Sequence, residues 1–507
     1  MNFTEKIIRE CVEKGITDKR AIAKEMARQD PSIDAEGARY RVRKMLGSAG
    51  APVAGVNLEL YSLYMAALCK TNEYEQASHK KLKQSKTYIV TTALNSTPVH
   101  KQFWDNILAY AAHTNAEIHV IASRYHNPTS VFTDTVADVW CAEVLPYLDA
   151  ARHSLFDGIQ LMSDVKIQPT AVTPLSGLNG LSDSDSCIFG HPRVHMQFMP
   201  VPKGHASKMM ITTGACTQPN YTDSKTGKKG SFHHVYGFVI VREGNIHYVT
   251  ANDDGSFIDM DLQVIDGVIS KAPRVEALIL GDIHTAKLSQ EARTRIRSRI
   301  ITTNPKMVIL HDVMDAESIN PHEEKNALLK VRRYESGTSS LANEIDDTLE
   351  YLAELRVLCS DIRVVASNHD NMIDRYITNI DWKKDITNAV KYAELLPIAL
   401  REPDGVFPYL VRELGIVATK VDDSIMVCGI ELNLHGDRGA NGSRGSSVQF
   451  KNLSSKTVTA HSHTPSRQDG SLVVGCQDLD HGYNVGLSSW GVGDVIINAD
   501  GKTQHIF

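Results

Sequence analysis

Between residues 275 and 463, a short apolar run of strand character stops five times at residues able to bind a metal. The run 275–280 leads into Gly281-Asp282-Ile283-His284, and the run 307–310 into His311-Asp312-Val313-Met314-Asp315. The run 364–366 ends at Ser367-Asn368-His369-Asp370, 425–430 leads to His435-Gly436-Asp437, and 458–460 ends at His461-Ser462-His463. Asp, Asn and His donors without Cys form a ligand field suited to Mn²⁺, Fe²⁺ or Zn²⁺, and a set this large suits two ions better than one. To meet, these donors need a scaffold. Buried strands alternating with helical segments predict an α/β layer fold, whose loops at the carboxyl ends of the strands gather side chains into one crevice.

The order Asp-x-His, Asp, Asn-His, His, His-x-His resembles the calcineurin-like metallophosphoesterases, and five separated motifs in that order make the resemblance specific. It implies a β-sandwich flanked by helices. One ion would be held by Asp282, His284, Asp312 and His463, the second by Asp312, Asn368, His435 and His461, with Asp312 shared. It also implies that His369 contacts the scissile phosphate and protonates the leaving oxygen, with Asp315 orienting that histidine. A phosphodiester repels nucleophiles and has a poor leaving group, and a cation pair roughly 3.5–4 Å apart addresses both difficulties. His311, Ser367, Ala460 and Asp437 depart from the family's usual residues, all at non-ligand positions, so they bear on subfamily and metal preference.

Composition bounds the rest. A chain of 507 residues with 42% hydrophobic and 22% charged content is of ordinary globular type and long enough for two or three domains. No apolar run has membrane-spanning length and the amino-terminal segment does not resemble a secretory leader, so a cytoplasmic location without membrane attachment is expected. The 8 cysteines contain no C-x-x-C pair, which argues against a thiolate zinc site or a disulfide scaffold. Net charge is −6, from 54 basic and 60 acidic residues, so nucleic acid would have to bind at local patches.

Four units are expected: a helical module at 1–47, a Gly/Ala/Ser linker at 48–56, an α/β and β-rich accessory domain at 57–270, and the catalytic domain at 271–507. The first reads as three short helices, the last with Ala38, Val42 and Met45 inward and Arg39, Arg41, Arg43 and Lys44 outward. This suits a helix-turn-helix DNA reader, and equally a small packing bundle with a solvated basic face. After the linker, 58–83 has helical character. A β-α-β unit follows, then a Gly- and Ser-punctuated β-rich region. Within it a polar loop at 220–230 carries Lys225, Lys228 and Lys229, which suit a sugar-phosphate backbone or simply solvent. The segment after Asp312 brings Lys325, Arg332 and Arg333 near the metals by sequence, and a glycine-rich loop after His435 carries Arg438 and Arg444. No Walker-type or dinucleotide fingerprint is present.

The favoured reading is a metal-dependent DNase, acting on DNA as a homo-oligomer. The region 271–507 resembles SbcD-type nucleases of double-strand-break repair. A wider likeness, including Gly214-Ala215-Cys216-Thr217-Gln218-Pro219-Asn220-Tyr221, is to the early DNA-degradation nucleases of T5-type bacteriophages. That likeness implies Mn²⁺ as the working metal and host-DNA destruction, in the host cytoplasm, as the role. A small-substrate phosphodiesterase or phosphomonoesterase would use the same donors, and a DNA-binding regulator with a silent core is the reading from another class. Endonuclease or exonuclease action, strand preference and any separate protein partner stay open.

Overall fold

The computed structural model describes residues 2–16, 18–46, 60, 64, 73–125, 140–321, 326–450, 452–453, 455–482 and 484–507. The expected linker at 48–56, half of the helical stretch at 58–83, and Lys325 lie outside the described residues. Three helices open the chain: Phe3–Glu13, Lys19–Gln29 and Ala35–Leu46. Asn2 caps the first in a reciprocal box with Glu5, and Asp18 caps the second by accepting from two backbone N–H groups. Their apolar stripes close on one another through Ile7, Ile8, Ile22, Met26, Ala38 and Val42. Arg39, Arg41, Arg43 and Lys44 face solvent.

Residues 87–271 build two sheets packed face to face, beside a small antiparallel sheet of Phe257–Asp259, Leu262–Ile265 and Val268–Lys271. The first has the order Asn245–Thr250, Gly237–Arg242, Thr87–Leu94, Glu117–Ser123, Leu148–Asp149. Its last three strands are parallel and its first two antiparallel. Thr87–Leu94 is buried along its whole length, which explains a run of β-branched and apolar residues without alternation. One face of the sheet takes the Lys101–Thr114 helix through Phe103, Trp104 and Ile107. The other packs Tyr88, Val90 and Val239 on Leu161, Ile188 and Ile211 of the second sheet.

The same layering recurs over residues 277–506. A sheet with the order Val417–Ala418, Ile362–Val364, Met307–Leu310, Ala277–Ile279, Asp494–Ile497, Thr503–Ile506 packs Ile279, Ile309 and Val495 against Ile430, Val458 and Leu472. Its outer face, with Leu278, Val308 and Leu310, is covered by helices carrying Ile296, Leu352 and Leu355. Leu341–Leu358 forms over the span its leucine spacing predicts.

The second sheets of the two layers are one sheet of 10 strands, continuous where Ser466–Gln468 pairs antiparallel with His195–Met199. The sequence boundary at 270/271 therefore divides the chain but not this sheet. Two local expectations change. The strand expected at 425–430 is a hairpin, because Cys428 (φ 50) and Gly429 (φ 76) form a two-residue turn with both φ positive. The loop expected at 220–230 contains the helix Lys225–Phe232, capped by Ser224.

Candidate metal centre

Ala277–Ile279, Met307–Leu310 and Ile362–Val364 are parallel neighbours in one sheet, and Ile430–Glu431 and Lys456–Thr459 are parallel neighbours in the facing one. The loops that follow them converge. His463 Nε2 stands 3.0 Å from Asp282 Oδ2 and 3.3 Å from His284 Nε2, while His284 Nε2 is 3.8 Å from Asp312 Oδ2. On the other side of Asp312, His435 Nε2 is 3.1 Å from its Oδ2 and 3.1 Å from Asn368 Oδ1, with His461 edge-on to His435. Two donor groups result, Asp282/His284/Asp312/His463 and Asp312/His435/His461, each with its ligand atoms within 4.8 Å of one another. Asp312 belongs to both.

The backbone is strained where the donors sit. His284 (φ 44), Asp312 (φ 41), His461 (φ 66) and His463 (φ 55) all hold the left-handed conformation that non-glycine residues avoid, at a cost of about 1–3 kcal/mol each. Gly281 is required for a different reason: a Cβ there would lie 2.6 Å from the carbonyl oxygen of Gly475.

Asp282, His284 and Asp312 are almost wholly buried. Oδ1 of Asp282 and Oδ1 of Asp312 nevertheless have no hydrogen-bond partner, an arrangement costing several kcal/mol unless a cation compensates it. The residues present therefore fit divalent metal. Burial opposes ionisation of Asp312, yet His435 and His369 hold it well below the usual carboxylate range, and Asp312 in turn raises buried His435 to about 9. A proton on this cluster and a metal ion compete for the same negative charge.

His369 lies beside the first donor group, its ring centroid 4.7 Å from that of His284. Its Nδ1 donates to the backbone carbonyl of Asp315 at 2.6 Å. Here the sequence expectation is corrected: the Asp315 carboxylate faces His284 Nδ1 at 3.0 Å, so it is the main-chain oxygen of Asp315 that orients His369. Spacing identifies a residue but not which of its atoms turns inward. Against burial, Asp312 and Asp315 push the His369 ring above the usual histidine range.

Sequence reasoning missed several neighbours. His481 meets His284 edge to face, ring centroids 4.7 Å apart, and forms a donor group with His284 and His463, and the ring of Trp490 lies 4.3 Å from His463. Neither belongs to a recognisable motif, although Asp478-Leu479-Asp480-His481 is a cluster of possible ligands. His311 is fully buried behind His435, and burial lowers it to about 4. Asp370, also buried, is pushed up to about 7 by burial and by Asp312.

Of the basic candidates, Arg438 comes nearest, lining a cleft of about 480 Å³ with Asn368 and Arg375. Arg444 pairs with Arg438 through a backbone bridge. Arg333 lies 3.7 Å from Glu317, which binds Lys287 beside Asp315, and Arg332 is exposed on the same Ala327–Ser336 helix. Lys225, Lys228 and Lys229 are exposed on the Lys225–Phe232 helix, and Arg39, Arg41, Arg43 and Lys44 on the amino-terminal unit.

Fold and site define a mixed α/β protein with buried Asp/His clusters able to hold metal ions. Protein A1 of Escherichia phage T5 is 29% identical to this chain over 463 residues, which span 84% of this chain and 82% of that protein. The likeness points to a phage-related function. No protein-family profile matches the chain, and no solved structure matches it. Among the described residues, no helix is long and apolar enough to cross a membrane.

Proposed function

We propose that the protein is a metal-dependent deoxyribonuclease that hydrolyses DNA phosphodiester bonds and degrades host DNA in the cytoplasm during phage infection. The observation that carries this reading is the carboxylate of Asp312, common to two donor groups and incompletely partnered within the protein. Asp282, His284, Asp312 and His463 would hold one ion and Asp312, Asn368, His435 and His461 the other, Mn²⁺ being the first choice for such N/O donors. When bound, such a pair stabilises the attacking and leaving oxygens of an in-line displacement.

The chain's own groups do the rest. Because the Asp315 carbonyl accepts from Nδ1 of His369, that nitrogen carries a proton and the ring orientation is fixed. Nε2 is thereby the atom left to give a proton to the leaving oxygen. The cleft beside Asn368, with Arg375 and Arg438 on its wall, offers cations to a neighbouring phosphate of a polymer.

The test is cleavage of supercoiled and linear duplex DNA with Mn²⁺ or Mg²⁺, comparing the parent with His369→Ala and Asp312→Asn. Metal-dependent cutting is expected, with His369→Ala slower by about 10²–10⁴-fold, the usual worth of a general acid. Comparing the two substrates reports whether free ends are needed. No cutting by the parent, with hydrolysis of bis(4-nitrophenyl) phosphate retained, would replace this reading with a small-substrate phosphodiesterase.

A further inference from the structure

The two layered halves share more than a class. Taken in chain order, ten strands of residues 87–250 match ten of residues 277–506 in sheet position and direction. In each half the first strand is followed by a 14-residue helix that ends at a left-handed Asn, Asn115 (φ 51) or Asn304 (φ 41), and by a parallel strand beside the first. In each, a later antiparallel pair closes the other side of that first strand. The facing five-stranded sheets agree likewise, antiparallel at both edges and parallel within. The equivalent strands His195–Met199 and Ser466–Gln468 pair with each other, so the halves meet about a local pseudo-two-fold at Met196 and Arg467.

Hydrogen bonds fix the correspondence residue by residue. Cys216 N donates to Thr92 O at 2.9 Å as Gln477 N does to Asp282 O at 2.9 Å, and Asn95 N donates to Ser123 O at 3.0 Å as Thr285 N does to Val313 O at 2.9 Å. Phe189 pairs with Thr212 as Thr459 does with Val473, and Gln160 with Cys187 as Glu431 does with Thr457. The metal-ligand positions therefore read Thr92 for Asp282, Leu94 for His284, Ala122 for Asp312, Asp164 for His435, His191 for His461 and Arg193 for His463. The segment bearing Asn368 and His369 has no counterpart, because Leu148–Asp149 is followed at once by Arg152–Phe156.

The one retained histidine is sealed into the fold. His191 Nδ1 accepts from Arg193 N at 3.0 Å and Nε2 donates to Gln168 O at 3.2 Å, and burial lowers it to about 4. Thr92 and Thr213 satisfy each other at 2.7 Å.

The loops that follow differ in a matching way. In the second half, the connection between Cys476 and Val492 brings His481 and Trp490 against the metal donors. In the first half, the equivalent connection between Ala215 and Tyr236 carries the Lys225–Phe232 helix. Lys225, Lys228 and Lys229 are exposed there, Phe232 is 83% exposed, and Asp223, 3.1 Å from Lys228, is the connection's acid. A cleft of about 290 Å³ lined by Lys229, His233 and Gln468 adjoins, through Gln468, one of about 320 Å³ that reaches the donor His461. Gln468 thus lines both the cleft beside Lys229 and the one beside His461.

We propose that residues 87–271 are a non-catalytic copy of the half carrying the metal centre, and that this copy's Lys225–Phe232 helix holds the backbone of the DNA the metal centre cuts. The second clause rests on the nuclease reading above. Three exposed ammonium groups on one short helix, with an exposed ring beside them, suit phosphates read without regard to sequence.

The test uses the full-length protein with Lys225→Ala/Lys228→Ala/Lys229→Ala, and a matching triple Lys→Arg variant. Binding of a fluorescent DNA duplex is measured across a salt series in metal-free buffer, and hydrolysis of bis(4-nitrophenyl) phosphate with Mn²⁺. For the alanine variant, affinity is expected to fall about tenfold or more, with the slope of log K on log[salt] shallower by about 0.9 for each phosphate no longer neutralised. The arginine variant should bind like the parent, and both should hydrolyse the small diester at the parent's rate. Unchanged affinity and salt slope in the alanine variant would overturn the proposal while leaving the nuclease reading intact. A parent that hydrolyses the diester but binds no duplex would overturn both, and a parent that binds duplex through these lysines but hydrolyses nothing would overturn the catalytic reading alone.

Discussion

The two halves have corresponding strands, yet the positions that hold buried Asp and His donors in the second are not donors of that kind in the first, whose own buried group lies elsewhere, with His119 Nδ1 2.6 Å and His153 Nε2 3.0 Å from the Asp149 carboxylate. In the first, the matching positions are apolar or have partners within the protein: Leu94, Ala122, the Thr92–Thr213 pair, Asp164 in an exposed ion pair with Arg152, buried His191 bonded to main chain, and buried Arg193 paired with Asp469. The backbone follows the chemistry. His284, Asp312, His461 and His463 have positive φ, whereas among the described residues none of Leu94, Ala122, His191 and Arg193 does. Left-handed strain is therefore not a requirement of these connections as such. It accompanies the convergence of metal donors, held in place by the well-packed sheets beneath.

Substitutions at ligand-matched positions of the two halves are the sharpest way to break this comparison. Asp312→Asn is expected to reduce metal-dependent phosphodiester hydrolysis by at least ~10³-fold, because it removes the charge common to both donor groups. Thr92→Val, at the position matching Asp282, should leave hydrolysis within about twofold and lower stability by about 1 kcal/mol through the missing hydrogen bond to Thr213. Initial rates and urea melts on both variants check this, and comparable activity losses would mean that the halves do not divide the work.

The interface between the halves gives the next largest effect. Asp259 is buried, bonded to Tyr110, 3.0 Å from Arg242 and 2.8 Å from His247, and it accepts from Gln504 of the second half at 2.9 Å. Burial raises its pKa, but His247, Tyr110 and Arg242 outweigh burial and hold the carboxyl below the usual range. A depressed carboxylate adds stability that is full above its unfolded value, about 3.9, and is lost as pH falls through the folded one. Asp259→Ala should cost about 1–3 kcal/mol near neutrality, since it leaves the buried polar groups of Tyr110, His247 and Gln504 without their acceptor. Its deficit against the parent should shrink below pH 4 in denaturant melts. A deficit independent of pH would assign the loss to packing.

A smaller effect is expected from the amino-terminal helices. Arg41→Ala/Arg43→Ala alters exposed side chains on Ala35–Leu46 and should leave folding unchanged within about 0.5 kcal/mol. If that face contacts DNA, the salt slope of duplex binding drops by up to about 1.8. An unchanged slope would make the unit a packing bundle and leave the lysine helix as the main accessory DNA site.

The candidate site was legible because its donors are chemically distinctive and each follows a strand, so order alone grouped Asp282, His284, Asp312, His435, His461 and His463. Leu341–Leu358 was legible because it is long and amphipathic. The correspondence between the halves was not, since a copy stripped of its ligands leaves no motif to repeat and survives chiefly as strand order and backbone register. Gly227 and Gly230 suggested a loop, but the Lys225–Phe232 helix needs Gly227, whose Cβ would collide with the Thr222 carbonyl oxygen. His481 and Trp490 arrive by tertiary folding from a segment without strand character, which neither spacing nor periodicity reveals.

Counting bound metal on the intact chain tests the central claim most directly. Dialysed protein titrated with Mn²⁺, with calorimetry and elemental analysis read together, should bind two ions per chain. Asp312→Asn should abolish or severely weaken both, and Thr92→Val should keep both. Four ions per chain, or full binding by Asp312→Asn, would contradict a single metal centre located in the second half.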